Sequence, residues 1–236
     1  MPGTKVPTAA RGPHDAEVSR DCCQTDYDAL FDDRAARREL SDYRRRGARG
    51  TTARLLNAIR GEGVVGASVL DIGGGVGVIG AELLRAGAAL LTDVDASRPY
   101  LAAARSEIGR RGYADRATFE HGDFVALAPG LAEADIVTLD RVICCYENWT
   151  AMVDRSLERT RRLYGLVYPV DRWWMRLSVG VIRGVSRLFG RPAPFAVHPD
   201  RAVDARIRAA GFTPVLEERG VAWQTVLYQR ASPETR

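Results

Sequence analysis

The sequence predicts an α/β protein built on a doubly wound, mostly parallel sheet of seven strands. Segments typical of strands alternate with segments typical of helices over most of the 236 residues, which is the pattern of parallel βαβ units. A glycine-rich corner at residues 73–80 follows the first strand and leads into a helix. Acidic residues then stand near the ends of three successive strands, where open parallel sheets bind their ligands.

The composition is that of a single globular domain. Hydrophobic residues make up 46% of the chain and charged residues 27%, which is sufficient for a substantial core. We expect a flexible tail over residues 1–20, which carry prolines and no apolar core, and one domain over 21–236. No signal peptide and no uncharged apolar run of about 18 residues is found, so we expect a cytoplasmic protein.

Two helices are predicted before the first strand, within residues 26–62. The first covers 26–46, is dense in arginine and acid, and ends at Gly47. The second covers 51–60, with Thr51 or Thr52 as its cap.

The central part of the chain alternates strands and helices. After the strand that ends at Asp71, further strands are predicted at 89–94, 117–121, 134–140 and 162–168. Helices are predicted at 81–86, 99–111 and 149–159. The strand at 134–140 is almost continuously apolar, as expected of a strand buried on both faces.

A basic amphipathic helix interrupts this alternation at residues 171–189, and we treat 171–198 as a helical lid inserted after the fifth strand. Trp173 and Trp174 begin its apolar stripe, and four arginines occupy another stripe. Three interpretations are open: a helix packed on the sheet, a lid over a large flat acceptor, or a peripheral contact with an anionic membrane surface. A helix at 200–210 and two strands at 213–217 and 223–228 complete the chain.

The glycine corner is compatible with two kinds of nucleotide. Residues 75–80 match the GxGxxG pattern, and Asp95 lies twenty residues after Gly75, as in NAD-binding proteins. In the alternative, Asp71 and the alternating glycines Gly73, Gly75 and Gly77 act as one unit. A pyrophosphate favours amide donors without an adjacent acid, whereas the ammonium and sulfonium of S-adenosylmethionine would be attracted by Asp71.

The acids downstream favour the adenosyl ligand. Asp95 ends the second strand and is placed to accept the ribose hydroxyls, with Asp93 as the competing candidate. Asp123 follows the third strand and is placed to accept from the adenine amino group. Each acid alone is also explained as a helix cap. Together with the glycine turn, the set is harder to explain by capping.

Four segments carry a family resemblance: residues 71–77, 95–97, 121–124 and 135–140. In order and spacing they resemble the motifs of class I S-adenosylmethionine-dependent methyltransferases. The resemblance implies the Rossmann-like methyltransferase fold with an antiparallel last strand, and methyl transfer by in-line displacement. It assigns to the cofactor the residues Asp71, Gly73, Gly75, Gly77, Asp95, Asp123, Phe124 and Asp140.

The flanking segments resemble a narrower group, the magnesium-protoporphyrin IX O-methyltransferase-like proteins. In that group an N-terminal tyrosine and a histidine after the fourth strand are associated with the catalytic pocket. Tyr43 is the candidate for the first role, and we predict it as the catalytic residue. Cys144 and Cys145 stand where the histidine is expected.

The acceptor is less constrained than the cofactor. The fourth strand is not followed by Asn-Pro-Pro-Tyr, which is typical of methyltransferases acting on DNA amino groups, so DNA is not expected. The arginines are spread over most helices rather than one face, which disfavours RNA. The chain has three histidines, His14, His121 and His198, and a carboxylate acceptor needs no general base because its pKa is near ~4.3.

We therefore predict methyl transfer to oxygen of a small or medium organic acceptor, with a tetrapyrrole carboxylate as one candidate. The alternatives are an RNA methyltransferase, a NAD-dependent oxidoreductase and a non-catalytic adenosyl-ligand binder. No metal site is predicted, because the cysteine pairs Cys22–Cys23 and Cys144–Cys145 have neither disulfide nor CxxC spacing. The oligomeric state is left open.

Overall fold

The structure is a computed structural model that describes residues 27–188 and 195–231. The predicted tail at 1–20, the Cys22–Cys23 pair and His14 lie outside the described residues. Within them, no helix is long and apolar enough to cross a membrane.

Helices and strands follow the predicted alternation. The seven strands are β1 (Ser68–Ile72), β2 (Leu90–Asp95), β3 (Ala117–His121), β4 (Ala134–Asp140), β5 (Thr160–Pro169), β6 (Phe212–Arg219) and β7 (Trp223–Arg230). The helices are α1 (Tyr27–Leu30), α2 (Asp33–Arg46), α3 (Gly50–Gly61), α4 (Val78–Arg85), α5 (Arg98–Arg110), α6 (Phe124–Leu127), α7 (Trp149–Glu158), α8 (Trp173–Leu188) and α9 (Asp200–Ala209). A short 3₁₀ turn, Ile143–Cys145, connects β4 to α7.

The strands form one sheet in the order β3-β2-β1-β4-β5-β7-β6. All pairs from β3 to β5 are parallel, and β7 is antiparallel to both of its neighbours. This confirms the predicted doubly wound, seven-stranded sheet with its last strand antiparallel. The order reverses at β1, so the crevice between the β1 and β4 ends is the topological switch point.

Helices cover both faces of the sheet, which gives the core two layers. On one face α3, α4 and α5 contribute Leu55, Leu83 and Ile108, which are fully buried. On the other face α7 and α9 contribute Val153 and Ile207 to a second cluster. Because both faces are covered, β4 and β5 are buried almost continuously.

The N-terminal helical region differs from the prediction in two details. The predicted helix at 26–46 is broken at Phe31, and Asp32 caps α2 by accepting from the backbone N–H of Ala35. The second helix begins at Gly50 without a side-chain cap. The cap predicted at Thr51 or Thr52 is wrong, because both residues lie inside α3. The Thr52 hydroxyl instead donates to Asp140 at the end of β4.

The amphipathic helix is present as α8 directly after β5, but none of its residues is buried. Most of its large apolar side chains are exposed, with Trp173 77% and Leu188 82% accessible, whereas Trp174 is half-buried. The interpretation of α8 as a helix packed on the sheet is therefore wrong, because a packed helix buries one face.

Candidate cofactor and acceptor site

A cavity of about 370 Å³ lies at the carboxyl ends of the parallel strands. Its walls come from the loop after β1, the ends of β2 and β4, and the start of α6, with α1 and α2 contributing from the N-terminal side. Parallel strands present their carboxyl ends at one edge of the sheet, which explains why residues far apart in the chain meet here.

The glycine corner forms one wall of the cavity. Gly73, Gly75 and Gly77 have φ values of 63°, 61° and 78°, in the left-handed region that other residues seldom adopt. A Cβ on Gly73 would lie 2.6 Å from Cγ2 of Val142, after β4. Gly73 and Gly75 line the cavity, whereas Gly77 lies behind it and begins α4.

Asp71 lies at the floor of the cavity and is 1% exposed. Its Oδ1 accepts a hydrogen bond from the Thr138 hydroxyl at 2.7 Å, while its Oδ2 has no hydrogen-bond partner. Burial raises the pKa of Asp71 to about 7, against the Thr138 hydrogen bond, and the nearby Asp140 and Asp95 raise it further. A cationic ligand would restore the ionised form.

Asp93 is paired in register with Asp71 on the neighbouring strand. It is 0% exposed and neither carboxyl oxygen has a partner. A Cβ on Gly74 would lie 2.5 Å from Oδ1 of Asp93, so the glycine loop closes over this side chain. Burial, followed by the charges of Asp71 and Asp95, raises the Asp93 pKa. Asp93 does not line the cavity, whereas Asp95 does.

Asp95 ends β2 and lines the cavity. Its Oδ2 accepts from the Gly75 backbone N–H at 2.9 Å, and its Oδ1 accepts from the Ser97 N–H at 2.8 Å. Burial raises its pKa to about 6, opposed by these two hydrogen bonds. A carboxylate has about four lone-pair sites, so each oxygen can still accept from a ribose hydroxyl.

Asp123 caps α6 and also lines the cavity. Its Oδ1 accepts from the Val125 N–H at 3.1 Å, and its Oδ2 accepts from the Tyr146 hydroxyl at 3.0 Å. Phe124 follows it, is 3% exposed and forms part of the cavity wall. The capping role and a ligand role are therefore compatible.

Asp140 ends β4 and accepts a hydrogen bond from the Thr52 hydroxyl of α3. It also pairs with Arg141, whose Nε lies 3.0 Å from its Oδ1. Arg141 has φ of 63°, the one non-glycine residue with positive φ among those described. Such a conformation costs about 1–2 kcal/mol, and it directs the chain around the cavity mouth.

The far end of the cavity is built from the turn after β4 and the residues that face it. Cys144, Cys145 and Tyr146 meet Tyr27 of α1, and Phe195 and Trp223 complete this end. The Tyr27 hydroxyl donates to the carbonyl oxygen of Cys145 at 3.1 Å.

Neither described histidine lines the cavity. His198 is 8% exposed, and its Nε2 lies 2.8 Å from the Ile143 carbonyl oxygen. Burial lowers its pKa. His121 lies at the surface, with its Nε2 3.2 Å from the Ala96 carbonyl oxygen.

Tyr43 does not line the cavity. It is 5% exposed, and its hydroxyl donates to Oε1 of Glu82 at 2.9 Å. The Arg111 guanidinium lies 4.9 Å from the centre of its ring. Tyr43 thus faces α4 and α5 rather than the cavity, and its catalytic role stays a prediction.

Several cavity residues were not predicted. Sequence reasoning missed Tyr27, Phe31, Glu39, Thr52, Tyr100, Arg141 and Trp223. Tyr27 is a tyrosine of the N-terminal helices that lines the cavity. One signal in the sequence could have indicated the position of Tyr27. Asp32 is the N-cap of α2 and so separates α2 from α1, which contains Tyr27.

The charge of the cavity fits a cationic ligand. Within the part of the chain that the structure describes, five acidic side chains line it and Arg141 is the one cationic side chain. The acids are Glu39, Asp71, Asp95, Asp123 and Asp140. An ammonium and a sulfonium would be attracted here, whereas a pyrophosphate would be repelled. No group of three or more candidate metal ligands is found among residues 27–188 and 195–231.

Comparison with known families also favours a protein that binds S-adenosylmethionine. Residues 69–163 match the model of a methyltransferase domain family. A comparison with curated proteins finds no match.

Solved structures with the same fold are similar over most of the chain. Magnesium protoporphyrin IX methyltransferase from Synechocystis PCC 6803 with bound S-adenosylhomocysteine has a TM-score of 0.62 and 18% identity, covering 86% of this chain and 99% of that one. An O-methyltransferase family protein from Burkholderia thailandensis has a TM-score of 0.65 and 18% identity, covering 88% and 63%. A putative RNA methyltransferase from Pyrococcus horikoshii has a TM-score of 0.54 and 13% identity, covering 78% and 83%.

At these identities the structural likeness shows the fold alone, and the match over residues 69–163 is to a methyltransferase domain. The shared fold and this match support the prediction of a class I S-adenosylmethionine-dependent methyltransferase. These findings support the prediction of S-adenosylmethionine as cofactor, and they give no support to the NAD interpretation of the glycine corner.

Proposed function

We propose that this class I methyltransferase transfers a methyl group to a carboxylate oxygen of a small or medium organic acceptor. The observation that carries the proposal is that the bases of the cavity are already engaged. Four of its five acids are assigned to the cofactor below, and the fifth, Glu39, accepts from the Tyr100 hydroxyl. Among the described residues no histidine and no lysine lines the cavity. A carboxylate is already ionised near neutral pH, whereas an amine or phenol acceptor would usually require a base within hydrogen-bond reach.

We propose that the cofactor lies along the glycine corner with its charges and hydroxyls matched to the acids. Asp95 accepts from the ribose, Asp123 and Phe124 hold the adenine, and Asp71 and Asp140 face the cationic end. When bound, S-adenosylmethionine supplies an electrophilic methyl group. The acids attract the cofactor, and the walls align the acceptor, which can contribute about 7–11 kcal/mol to catalysis through positioning alone.

Arg141 is proposed as the residue that meets the acceptor carboxylate. It lines the cavity at the carboxyl end of β4, and its side chain is 48% exposed. It pairs with Asp140 through Nε, which leaves guanidinium N–H groups able to donate to a second carboxylate.

Cavity size limits which acceptors can enter. A volume of about 370 Å³ is near the lower limit for sites of drug-sized ligands, and the cofactor would fill part of it. A tetrapyrrole could therefore place only a carboxylate arm inside, with its ring outside near Phe195 and Trp223. A compact acid would fit within the cavity.

The proposal is tested with isotope-labelled S-adenosylmethionine and paired acceptors, each acid beside its primary amide. Magnesium protoporphyrin is the first acid to test, followed by compact aromatic and aliphatic acids. We expect label transfer to acids and not to their amides, with a rate that does not rise between pH 7 and pH 9. Transfer to phenols or amines, with a rate that rises over that range, would contradict carboxylate methylation.

We also propose that α8 attaches the protein to an anionic membrane surface. Two observations support this over a lid: most of its large apolar side chains are exposed, and none of its residues lines the cavity. Arg172, Arg176, Arg183 and Arg187 give the helix a positive face, with Asp171 pairing to Arg176. An exposed apolar face with a cationic face is the composition of interfacial helices.

A further inference from the structure

The turn after β4 carries two thiols that the proposed methyl transfer does not use. Cys144 and Cys145 are both unbridged, and both line the far end of the cavity. Their sulfur atoms lie 3.7 Å apart. Each sulfur also points toward the Arg141 carbonyl oxygen, at 3.4 Å for Cys144 and 3.8 Å for Cys145. The two thiols therefore converge on one point of the cavity wall.

The backbone of this turn is held from three directions. The Ile143 carbonyl oxygen meets Nε2 of His198 at 2.8 Å, and the Cys144 carbonyl accepts from the Ala196 N–H at 2.7 Å. The Cys145 carbonyl accepts from the Tyr27 hydroxyl at 3.1 Å. A disulfide between adjacent cysteines requires a distorted peptide, and these three hydrogen bonds oppose such a distortion. The fold therefore keeps the pair as a preorganised dithiol.

We propose that Cys144 and Cys145 form a binding site for a thiophilic, three-coordinate centre of the kind found in monosubstituted trivalent arsenicals. Thiolates select soft centres over hard ones. The described residues supply two sulfurs and no cluster of three or more metal ligands, which is too few for the four-coordinate sites that zinc prefers. A monosubstituted arsenical needs only two protein sulfurs, because its organic group occupies the third position.

The binding step needs no oxidant or reductant. An arsenical with an As=O group reacts with both thiols, so that two S–H bonds are replaced by two As–S bonds and the oxygen leaves as water. Arsenic stays trivalent and both sulfurs stay reduced. The Cys145 thiol is half-buried and its pKa is lowered, chiefly by its hydrogen bond with Cys144, so it is suited to react first. The buried Cys144 then closes the ring.

Phenylarsine oxide is the probe, and the full chain carrying Cys22→Ser and Cys23→Ser is the background, because that other adjacent pair could also react. We expect one phenylarsenic group per reduced chain by intact mass spectrometry. Adding Cys144→Ser or Cys145→Ser should weaken binding roughly 100-fold or more, since one thiol loses the advantage of two linked contacts. Thermal melting of each variant shows whether it is folded.

Two results would overturn the proposal. One is a background chain that takes up no arsenical, and the other is an adduct that persists when both Cys144 and Cys145 are serine. Cd²⁺ provides the comparison with a soft divalent cation, followed by its sulfur-to-metal absorption in the ultraviolet. Tight Cd²⁺ binding without arsenical binding would assign the pair to a metal and contradict the three-coordinate site.

Discussion

Asp95 is the residue on which cofactor affinity should depend most. Both of its oxygens hold backbone amides, and both retain capacity to accept from ribose hydroxyls. We predict that Asp95→Asn weakens S-adenosylhomocysteine binding by about 10- to 100-fold, because hydrogen bonds to a charged group contribute about 1.5–3 kcal/mol. Isothermal titration calorimetry measures the change directly.

Asp93→Asn is the matched control, since Asp93 lies two residues earlier on the same strand but does not line the cavity. Its carboxyl group is fully buried without partners, so the amide should affect stability more than affinity. If Asp93→Asn weakened binding as much as Asp95→Asn, the ribose would have to be assigned to Asp93.

Asp71 should make cofactor binding depend on pH. Burial raises its pKa to about 7 in the ligand-free protein, and a cationic ligand stabilises the ionised form and so lowers that pKa on binding. Affinity for S-adenosylmethionine should therefore rise with pH up to about 7, with release of a proton, and level off above it. Calorimetry in buffers of different ionisation enthalpy counts the proton. Asp71→Asn should bind more weakly and release none from this site, and proton uptake by the parent chain would contradict the assignment.

Tyr43→Phe tests the predicted catalytic role of Tyr43. The Tyr43 hydroxyl donates to Glu82, which also pairs with Arg60, Arg85 and Arg111, and neither Tyr43 nor Glu82 lines the cavity. We predict a loss of about 1–2 kcal/mol in the free energy of unfolding with unchanged cofactor affinity. Urea denaturation and calorimetry provide the two measurements. Tyr27→Phe is the comparison, because Tyr27 lines the cavity; a larger effect of Tyr43→Phe on methyl transfer would support the predicted catalytic role.

At the scale of residues, the sequence predicted the contacts that depend on local order. Asp71, Asp95 and Asp123 each stand at or just beyond a strand end, so their convergence follows from a parallel sheet. The contacts of Thr52 and Tyr27 could not be predicted in this way. Each depends on where an N-terminal helix lies against the ends of β4 and its following turn, and hydrophobic periodicity carries no information about that placement.

At the scale of elements, α8 stands out because its apolar face is exposed. We predict that the protein binds vesicles containing phosphatidylserine and that Leu177→Gln weakens this binding, because Leu177 lies on the exposed apolar face. Binding is measured by co-sedimentation at low and high salt. Interfacial helices combine apolar insertion with electrostatic attraction.

Replacing Arg183 and Arg187 by glutamine separates these two contributions. Each arginine near an anionic surface is worth about 1 kcal/mol, so the double variant should lose most of its affinity for anionic vesicles at low salt. The Leu177→Gln variant should be weaker at every salt concentration. Unchanged binding in both variants, or no vesicle binding by the parent chain, would contradict the membrane role of α8.

Element positions were predictable because their periodicity is local, but several boundaries were not. The strand predicted at 213–217 is observed as β6, Phe212–Arg219, because pairing with β7 adds residues at both of its ends. The helix predicted at 26–46 is broken at its N-terminal end by the Asp32 cap. In both cases a hydrogen bond to another part of the structure moves the boundary, whereas the hydrophobic pattern alone continues.

At the scale of the whole molecule, two groups of acids contribute to folding stability with opposite dependence on pH. Glu107 is 0% exposed, and hydrogen bonds from Arg110, Arg111 and Arg44 hold its pKa at about 2. Glu82 also has a pKa of about 2, because hydrogen bonds from Arg85, Tyr43 and Arg60 outweigh its burial. Both pKa values lie below those of the unfolded chain, so the stability these glutamates contribute is lost as pH falls from about 4.5 toward 2.

The stability contributed by the cavity acids Asp71 and Asp95 is instead lost as the pH rises. The pKa values of Asp71 and Asp95, about 7 and about 6, exceed that of an unfolded aspartate, near ~3.9. The unfolded chain loses these protons first, so ionisation of the two acids lowers the stability of the ligand-free protein as pH rises from about 4 to 7.

Stability of the ligand-free protein should therefore be greatest near pH 4–5, and cofactor should shift this maximum upward because it favours the ionised aspartates. Urea denaturation from pH 3 to 8, with and without S-adenosylhomocysteine, measures both curves. Asp71→Asn should reduce the decline in the free energy of unfolding between pH 5 and 7. Glu107→Gln should reduce the loss of stability below pH 4.5. It should also lower the free energy of unfolding by about 3 kcal/mol at neutral pH, because three arginines lose the carboxylate that they share. A contradicting result would be a stability maximum near pH 7 in the ligand-free protein that the cofactor does not shift. It would show that Asp71 and Asp95 are already ionised without the ligand's charge.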